Sequence, residues 1–329
     1  MDRARFPRDK VCAGWLTPRV FELLELDPEE YRSAGLTLQE ITAFRTGVMG
    51  GALIETRYPR VVSYAIRRCE FDGFLLQRAQ ARVLDGSAVT SLRRSGKTWI
   101  VNDALETPMV VGAGGHFCPV AKHLRGSAGT AQPVVAQEAE FRLNERHGAP
   151  ESNAPELFFC RDLQGYGWCV QKGDYLNVGI GRRDTVGFPG HVRSFTAFLE
   201  QTRGIKTPSG VAWRGHAYLA SGTGTRPLMG DGMLLVGDSA GLAYPESGEG
   251  ISPAIESGRL AAHAMIAAGG ASAPDALQPY AQAMRALYPP AHASPEPVRS
   301  LVAGLGRLLL GSRTFTRRVV LDRWFLRSA

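Results

Sequence analysis

The chain has 329 residues, 44% of them hydrophobic, enough for one large or two modest domains with a real core. Its formal net charge is +7, and the segment 291–329 sets seven arginines against Glu296 and Asp322, so most of the basic excess belongs to the C-terminal end. The five cysteines (Cys12, Cys69, Cys118, Cys160, Cys169) are odd in number and lack C-x-x-C spacing, which argues against a disulfide framework or zinc site and for a reducing compartment.

No apolar run reaches the ~18 residues a membrane span needs. The start, MDRARFPRDK, is charged from its second residue and does not read as a signal peptide. The first forty residues are turn-rich and then helical, and a strand-like stretch covers 61–67. In FDGFLLQRAQA (71–81) Phe71, Phe74, Leu75 and Ala79 share one helical face. Strands are expected at 88–92 and at Thr98–Val101, around the turn signal Arg94-Ser95-Gly96-Lys97. Met109-Val110-Val111 then runs into Gly112-Ala113-Gly114-Gly115.

From about 133 to 213 the pattern turns to β. Residues 133–143 alternate, and 157–160, 167–172 and 175–180 are short, aromatic and β-branched; a helix at 190–201 interrupts them. Helices follow at 248–268 and 273–287, then an arginine-rich amphipathic region from about 297, with Leu301, Val302, Leu305, Leu308 and Leu309 as its apolar stripe.

The segment LLVGDSAGLAYPESGEGISPAIESGRLAA (234–262) carries the chemistry. Residues 233–236 read as a buried strand; Gly237 lets the chain turn and Asp238 sets a carboxylate at the strand's C-terminal end, the edge of an open α/β sheet where ligands sit. A helix expected from about Gly248 offers amides without intrahelical partners and a partial positive charge. Gly248 and Gly250 let a ligand approach the backbone, Pro253 suits a first turn, and Ile251, Ala254, Ile255, Gly258 and Ala262 make a slim apolar face. A hydroxyl acceptor beside an anion-favouring helix start suits a flavin; the alternative is an ordinary strand–loop–helix with an N-cap.

GDSAGLAYPESGEG resembles the second flavin-binding signature of FAD-dependent enzymes with the p-hydroxybenzoate-hydroxylase fold, GDAAG-x-x-x-P-x-x-G-x-G, through Gly237, Asp238, Ala240, Gly241, Pro245, Gly248 and Gly250. RFPRDKVCAGWLTP (5–18), Arg68-Cys69-Glu70-Phe71-Asp72 and GYGWCVQKGDYLNVGIG (165–181) are similar to segments of geranylgeranyl-reductase-like flavoproteins, in the same order. The resemblance implies an α/β fold: a three-layer FAD-binding domain from 1–130 and 222–270, an inserted antiparallel β-sheet substrate domain at 131–221, and a helical C-terminal region at 271–329.

It also implies site roles. Asp238 would hold the ribityl chain, and the amides from Gly248 through Glu249 and Gly250 to Ile251 would lie beside the flavin ring, with Gly237 and Pro245 shaping that turn. Asp2, Lys10, Cys12, Arg68 and Gly112 complete the cofactor set. Cys12, a thiol near the ring or simply a small buried residue, and the alternating Tyr166 and Trp168, pocket wall or core, are the candidates for chemistry. Arg68 would pair with Asp72 or meet FAD phosphate. His116 and His216 are structural residues or proton donors. No metal site is expected.

Three departures qualify the resemblance. The family's opening strand–G-x-G-x-x-G–helix is absent, so Met1-Asp2-Arg3 matches the residues after the second strand, with Asp2 at the ribose acid's place. The amides that would cradle the pyrophosphate are then missing, and weak FAD binding is expected if no such segment precedes Met1. Gly114 also stands where the family's G-A-D-G segment has aspartate, and Cys169-Val170-Gln171-Lys172 alters its F-P-K. The expected activity is hydride transfer from NAD(P)H through FAD to a double bond of an apolar, isoprenoid-like substrate. The alternatives are a flavin-dependent monooxygenase and a truncated chain with impaired FAD binding. The expected setting is cytoplasmic, without nucleic-acid partners, leaving open peripheral membrane contact through the basic C-terminal helices.

Overall fold

The computed structural model describes residues 1–125, 132–144, 148–221, 227–289 and 306–327. The chain is a mixed α/β protein that divides into two compact units: Met1–Arg8, Leu76–Pro133 and Tyr218–His292 form one, and Asp9–Leu75, Val134–Ala217 and Ala293–Ala329 the other.

The first unit is organised by a parallel pair of strands. Val110–Gly112 lies beside Met233–Leu235, with Met229–Gly230 antiparallel on the outer side. Three consecutive buried apolar residues, Met233, Leu234 and Leu235, mark a strand covered on both faces. Val120 and Ala121 of the helix Pro119–Arg125 pack against it, as do Leu277, Tyr280 and Met284 of the helix Pro274–Leu287. Each large side chain so buried contributes roughly 1.5–3 kcal/mol. Tyr280 has its hydroxyl buried in this cluster and donates it to the Leu235 carbonyl, so no polar atom is stranded there. A separate antiparallel meander is formed by Leu92–Ser95, Thr98–Val101 and Leu105–Thr107.

The second unit holds a seven-stranded sheet. Its order is Arg214–Tyr218, Val134–Arg142, Tyr175–Arg182, Gly165–Lys172, Glu156–Phe159, Ala43–Val48 and Ile54–Arg57, with Glu156–Phe159 parallel to Ala43–Val48. The two-residue period sends alternate side chains to opposite faces. On one face Phe158, Cys169, Val178 and Ile180 meet Phe195 and Leu199 of the helix Phe188–Arg203. Gly167 is required there, because a Cβ would stand 2.4 Å from the Phe195 ring. On the other face Phe159, Tyr166, Trp168 and Val170 pack with Val320, Leu321 and Phe325 of the last described helix, Thr316–Phe325. That helix runs in the wide π pattern, in which Leu326 N–H reaches back to the Leu321 carbonyl at 2.8 Å. A small sheet of Trp15–Leu16, Ser63–Ala65 and Gln39–Ile41 completes the unit.

Several expected elements shift. Residues 88–91 do not pair as a strand: Asn102 takes over their polar groups, accepting from Thr90 N–H at 2.8 Å and donating to the Ala88 carbonyl at 2.7 Å. The expected 71–81 helix spans Arg68–Arg78 and stops before Gln80, whose φ is 49°; Phe71 is buried but Ala79 is exposed. The helix expected from Gly248 begins at Ile251 and buries Ser252, Pro253, Ser257, Ala261 and Ala264, a face rotated from the all-apolar stripe. It tolerates buried serines because Ser257 Oγ donates to the Pro253 carbonyl and accepts from Gly237 N–H. Of the C-terminal stripe, Leu301, Val302 and Leu305 lie outside the described residues, and Leu308 is exposed. Among the described residues no helix is long and apolar enough to cross a membrane.

Candidate functional site

The cofactor residues expected from the sequence fall into both units, and each group is described within its own. In the first unit, the parallel pair ends in two loops. Val236 N–H donates to the Gly112 carbonyl at 3.1 Å, and Gly115 and Ser239 exchange hydrogen bonds of 2.9 and 3.2 Å. The strand Met233–Leu235 gives way to a single tight turn, Gly237–Ser239, with Gly237 at φ 55°. Gly237 leaves no room for a side chain, since a Cβ would touch that of Ala254 at 2.9 Å. Half-buried Asp238 thereby faces the start of the helix Ile251–Ala267: a Cβ on Gly250 would stand 3.1 Å from Asp238 Oδ1. The carboxylate and the helix cap Gly250, twelve positions apart in sequence, converge.

The amides at that start divide. Gly248 N–H donates to the Tyr244 carbonyl at 2.8 Å and Glu249 N–H to Ser247 Oγ at 3.3 Å, while Tyr244 N–H returns to the Glu249 carbonyl at 2.9 Å. The loop carrying Pro245 is thus closed on itself. Glu249 Oε1 accepts the Ser252 N–H at 2.7 Å, a side-chain cap on the first turn. Gly250 and Ile251 N–H have no protein acceptor among the described residues. A helix start with two open amides, no acidic residue in its first turn and a glycine at its cap fits an electron-rich ligand edge.

Gly248 sets this geometry. Its φ is 70°, and a Cβ there would lie 2.2 Å from Tyr218 Oη. Gly248→Ala is therefore expected to displace the Tyr244–Gly250 loop and to lower bound flavin well below one per chain, with little change in the melting temperature of the rest. Flavin absorbance per polypeptide, with thermal unfolding as control, measures it; full occupancy in the variant would contradict this placement. Asp2 and Gly112 are placed differently. Asp2 Oδ1 accepts Ala4 N–H at 2.8 Å, closing a turn, and a Cβ on Gly112 would stand 2.7 Å from Leu235 and 2.8 Å from Val120, so this glycine serves close packing.

In the second unit Cys12, Arg67, Arg68 and Lys172 gather around a buried polar cluster that sequence reasoning missed. Lys172, 1% exposed, donates to Glu140 Oε2 at 2.7 Å and to the Cys12 carbonyl at 3.2 Å. Asn177 Nδ2 reaches the same two acceptors at 3.3 and 3.5 Å, and its Oδ1 accepts the Trp168 indole N–H at 2.7 Å. Burial alone would raise the Glu140 carboxyl, but Lys172 and Arg67 hold it below the usual range. Glu138, two residues earlier on the same strand face, is pushed up by burial, with Lys172 pulling the other way. Gly14 makes room for the cluster: a Cβ there would meet the Ile66 carbonyl at 2.1 Å and Lys172 Nζ at 2.6 Å. Arg68 forms both bonds of a bidentate pair with Asp72, at 2.8 and 2.9 Å, so the ion-pair alternative is the one realised. Lys10 lines the cavity beside this cluster.

Tyr166 and Trp168 share a sheet face as expected, with ring centroids 6.0 Å apart. Their face is occupied by the protein itself: Phe325 stands 5.4 Å from the Tyr166 ring. His116 packs edge-on against Phe117, which is 75% exposed. The sequence signal for the missed cluster was present. Glu138 and Glu140 are acids at alternate positions of a strand, flanking the apolar Ala139, and Lys172 ends another strand.

No protein-family model matches the chain. It is 27% identical over 310 residues to a menaquinone reductase of Mycobacterium tuberculosis, covering 80% of this chain and 69% of that one. It is 25% identical over 226 residues to a digeranylgeranylglycerophospholipid reductase of Methanocaldococcus jannaschii, covering 64% and 57%. In fold it matches a geranylgeranyl bacteriochlorophyll reductase-like protein of Thermoplasma acidophilum, with TM-score 0.70, 18% identity, and coverage of 97% of this chain and 83% of that chain. Relatives and fold together mark a FAD-dependent oxidoreductase. In sequence it is similar to menaquinone and digeranylgeranylglycerophospholipid reductases, at 25–27% identity.

Proposed function

We propose that this protein reduces a carbon–carbon double bond of an isoprenoid-type substrate, with NAD(P)H as the source of reducing equivalents. The observation that carries the reading is the convergence of Asp238 on the Gly250–Ile251 helix start. FAD, when bound, supplies the hydride-transfer chemistry. The chain's own residues do the rest. Asp238 would accept hydrogen bonds from the ribityl hydroxyls. The two open amides of Gly250 and Ile251 favour negative charge at the ring edge. Reduction is favoured over oxygenation because the sequence relatives are reductases. Arg307, Arg313, Arg317, Arg318, Arg323 and Arg327 give the C-terminal segment a basic character suited to peripheral contact with anionic lipid.

The test is direct. The purified, flavin-loaded protein is supplied with NAD(P)H and an isoprenoid quinone or diphosphate under anaerobic conditions. Product with two added hydrogens per nucleotide oxidised is expected by mass spectrometry. Oxygen-dependent turnover giving a hydroxylated product would replace the reductase reading with a monooxygenase.

A further inference from the structure

The loop Tyr244–Gly250 of the first unit is closed on itself, because Gly248 N–H donates to the Tyr244 carbonyl and Tyr244 N–H to the Glu249 carbonyl. Those bonds fix its shape, while side chains seat it on the helix Ile251–Ala267. Glu249 caps the first turn at Ser252, and a chain of polar side chains holds the opposite end. Tyr288 terminates the helix Pro274–Leu287, where its N–H reaches the Met284 carbonyl at 2.9 Å, and its ring packs on the apolar cluster of that unit. Its hydroxyl donates to Glu256 Oε2 at 2.7 Å, and Glu256 lies in the second turn of the helix Ile251–Ala267. The same hydroxyl is hydrogen-bonded to Tyr244, whose ring centroid stands 6.2 Å away with 33° between the planes. A phenol carries a single proton. Tyr288 gives its own to Glu256, so in the other bond Tyr244 is the donor.

Burial, and after it the bond to Glu256, pushes the Tyr288 hydroxyl above the usual tyrosine range, so it stays a neutral donor at working pH. The chain from Tyr244 through Tyr288 to Glu256 therefore runs one way, and each O–H polarises the next. It ties the first residue of the loop to the body of the helix, while the last, Gly250, caps that helix directly. With both ends held, the Gly250 and Ile251 N–H groups have one direction in which to point.

We propose that Tyr288 is a positioning residue for the cofactor: by locking Tyr244 to Glu256 it presets the amides of Gly250 and Ile251 for the electron-rich edge of the flavin. The role rests on the flavin placement proposed above, and Tyr288 acts through Tyr244. Amides held in place favour the reduced ring more than the oxidised one, because the reduced ring carries more negative charge at that edge. Loosening them weakens binding of both forms and of the reduced form more.

Tyr288→Phe keeps the ring and removes both hydrogen bonds. FAD titrated into stripped protein is expected to bind the variant about 3- to 10-fold more weakly. The flavin midpoint potential is expected to move in the negative direction. Without cofactor, the amides of residues 248–251 are expected to exchange hydrogen faster. Tyr244→Phe is expected to act in the same direction, and the double variant to lose no more than Tyr288→Phe alone, since changes at one shared bond do not add. Unchanged affinity and potential in Tyr288→Phe, whatever its melting temperature, overturn the proposal and leave Tyr288 a packing residue. Losses that add in the double variant overturn it as well. Should Tyr288→Phe fail to fold, Tyr244→Phe decides by the same two measurements. Asp238→Ala separates the two readings. If it weakens FAD binding and Tyr288→Phe does not, this inference alone falls; if neither variant alters FAD binding, the flavin placement falls with it.

Discussion

Lys172→Met is expected to cost about 3–5 kcal/mol of folding stability, because it removes one partner of a buried ion pair and leaves the other charged. Lys172 Nζ is the near cation for Glu140 at 2.7 Å and also bonds the Cys12 carbonyl. Methionine fills similar space, so the loss reports charge rather than a void. A chemical-denaturation midpoint measures it, and a loss under about 1 kcal/mol would show that the cluster is solvated. The pH dependence adds a second check. Glu140 is held below its ordinary range, so its contribution is present above the unfolded pKa and is lost as pH falls through the folded one. In the variant Arg67 alone remains beside Glu140, at 3.1 Å, so that stabilisation is reduced and there is less of it for acid to remove. The gap between variant and wild type is therefore expected to narrow as pH falls below the usual carboxylate range.

Asp238→Ala is the second large effect. It is expected to weaken FAD binding roughly 10- to 150-fold, the equivalent of one lost hydrogen bond to a charged group at about 1.5–3 kcal/mol. Removing a carboxylate also removes repulsion toward an anionic ligand, so Asp238→Asn, which keeps an acceptor, is expected to lose much less than alanine. Titration of stripped protein with FAD, followed by flavin fluorescence, separates the two. Equal affinity for alanine and wild type would remove Asp238 from the cofactor site.

The flavin site was the most legible part of the chain because its parts are local. Gly237, Asp238, Gly248 and Gly250 lie within fourteen consecutive residues, and their turn and close-approach requirements are written in glycine. The strand Thr98–Val101 and the helix Pro274–Leu287 were legible for the same reason, since each has its own local punctuation. The buried polar cluster around Lys172 and Glu140 was not, since it depends on register. Glu140 meets Asn177 only because Val134–Arg142 pairs antiparallel with Tyr175–Arg182, and Lys172 joins from the next strand over. A slip of one residue would turn Glu138 and Glu140 to the opposite face. No spacing in one strand specifies that register; the packing of both faces does. The misplaced strand at 88–92 failed for a related reason, as a single asparagine fourteen positions away from Ala88 offered its backbone a better partner.

The helix Thr316–Phe325 has a genetic consequence. Its Val320, Leu321 and Phe325 are what keep the rings of Phe159, Tyr166 and Trp168 from water. A nonsense codon just upstream of Thr316 would remove this helix and bare a ring-studded face, the kind of surface that chaperones retain and that drives aggregation. Such alleles would behave as unfolded protein in the cell rather than as enzymes with altered substrate choice.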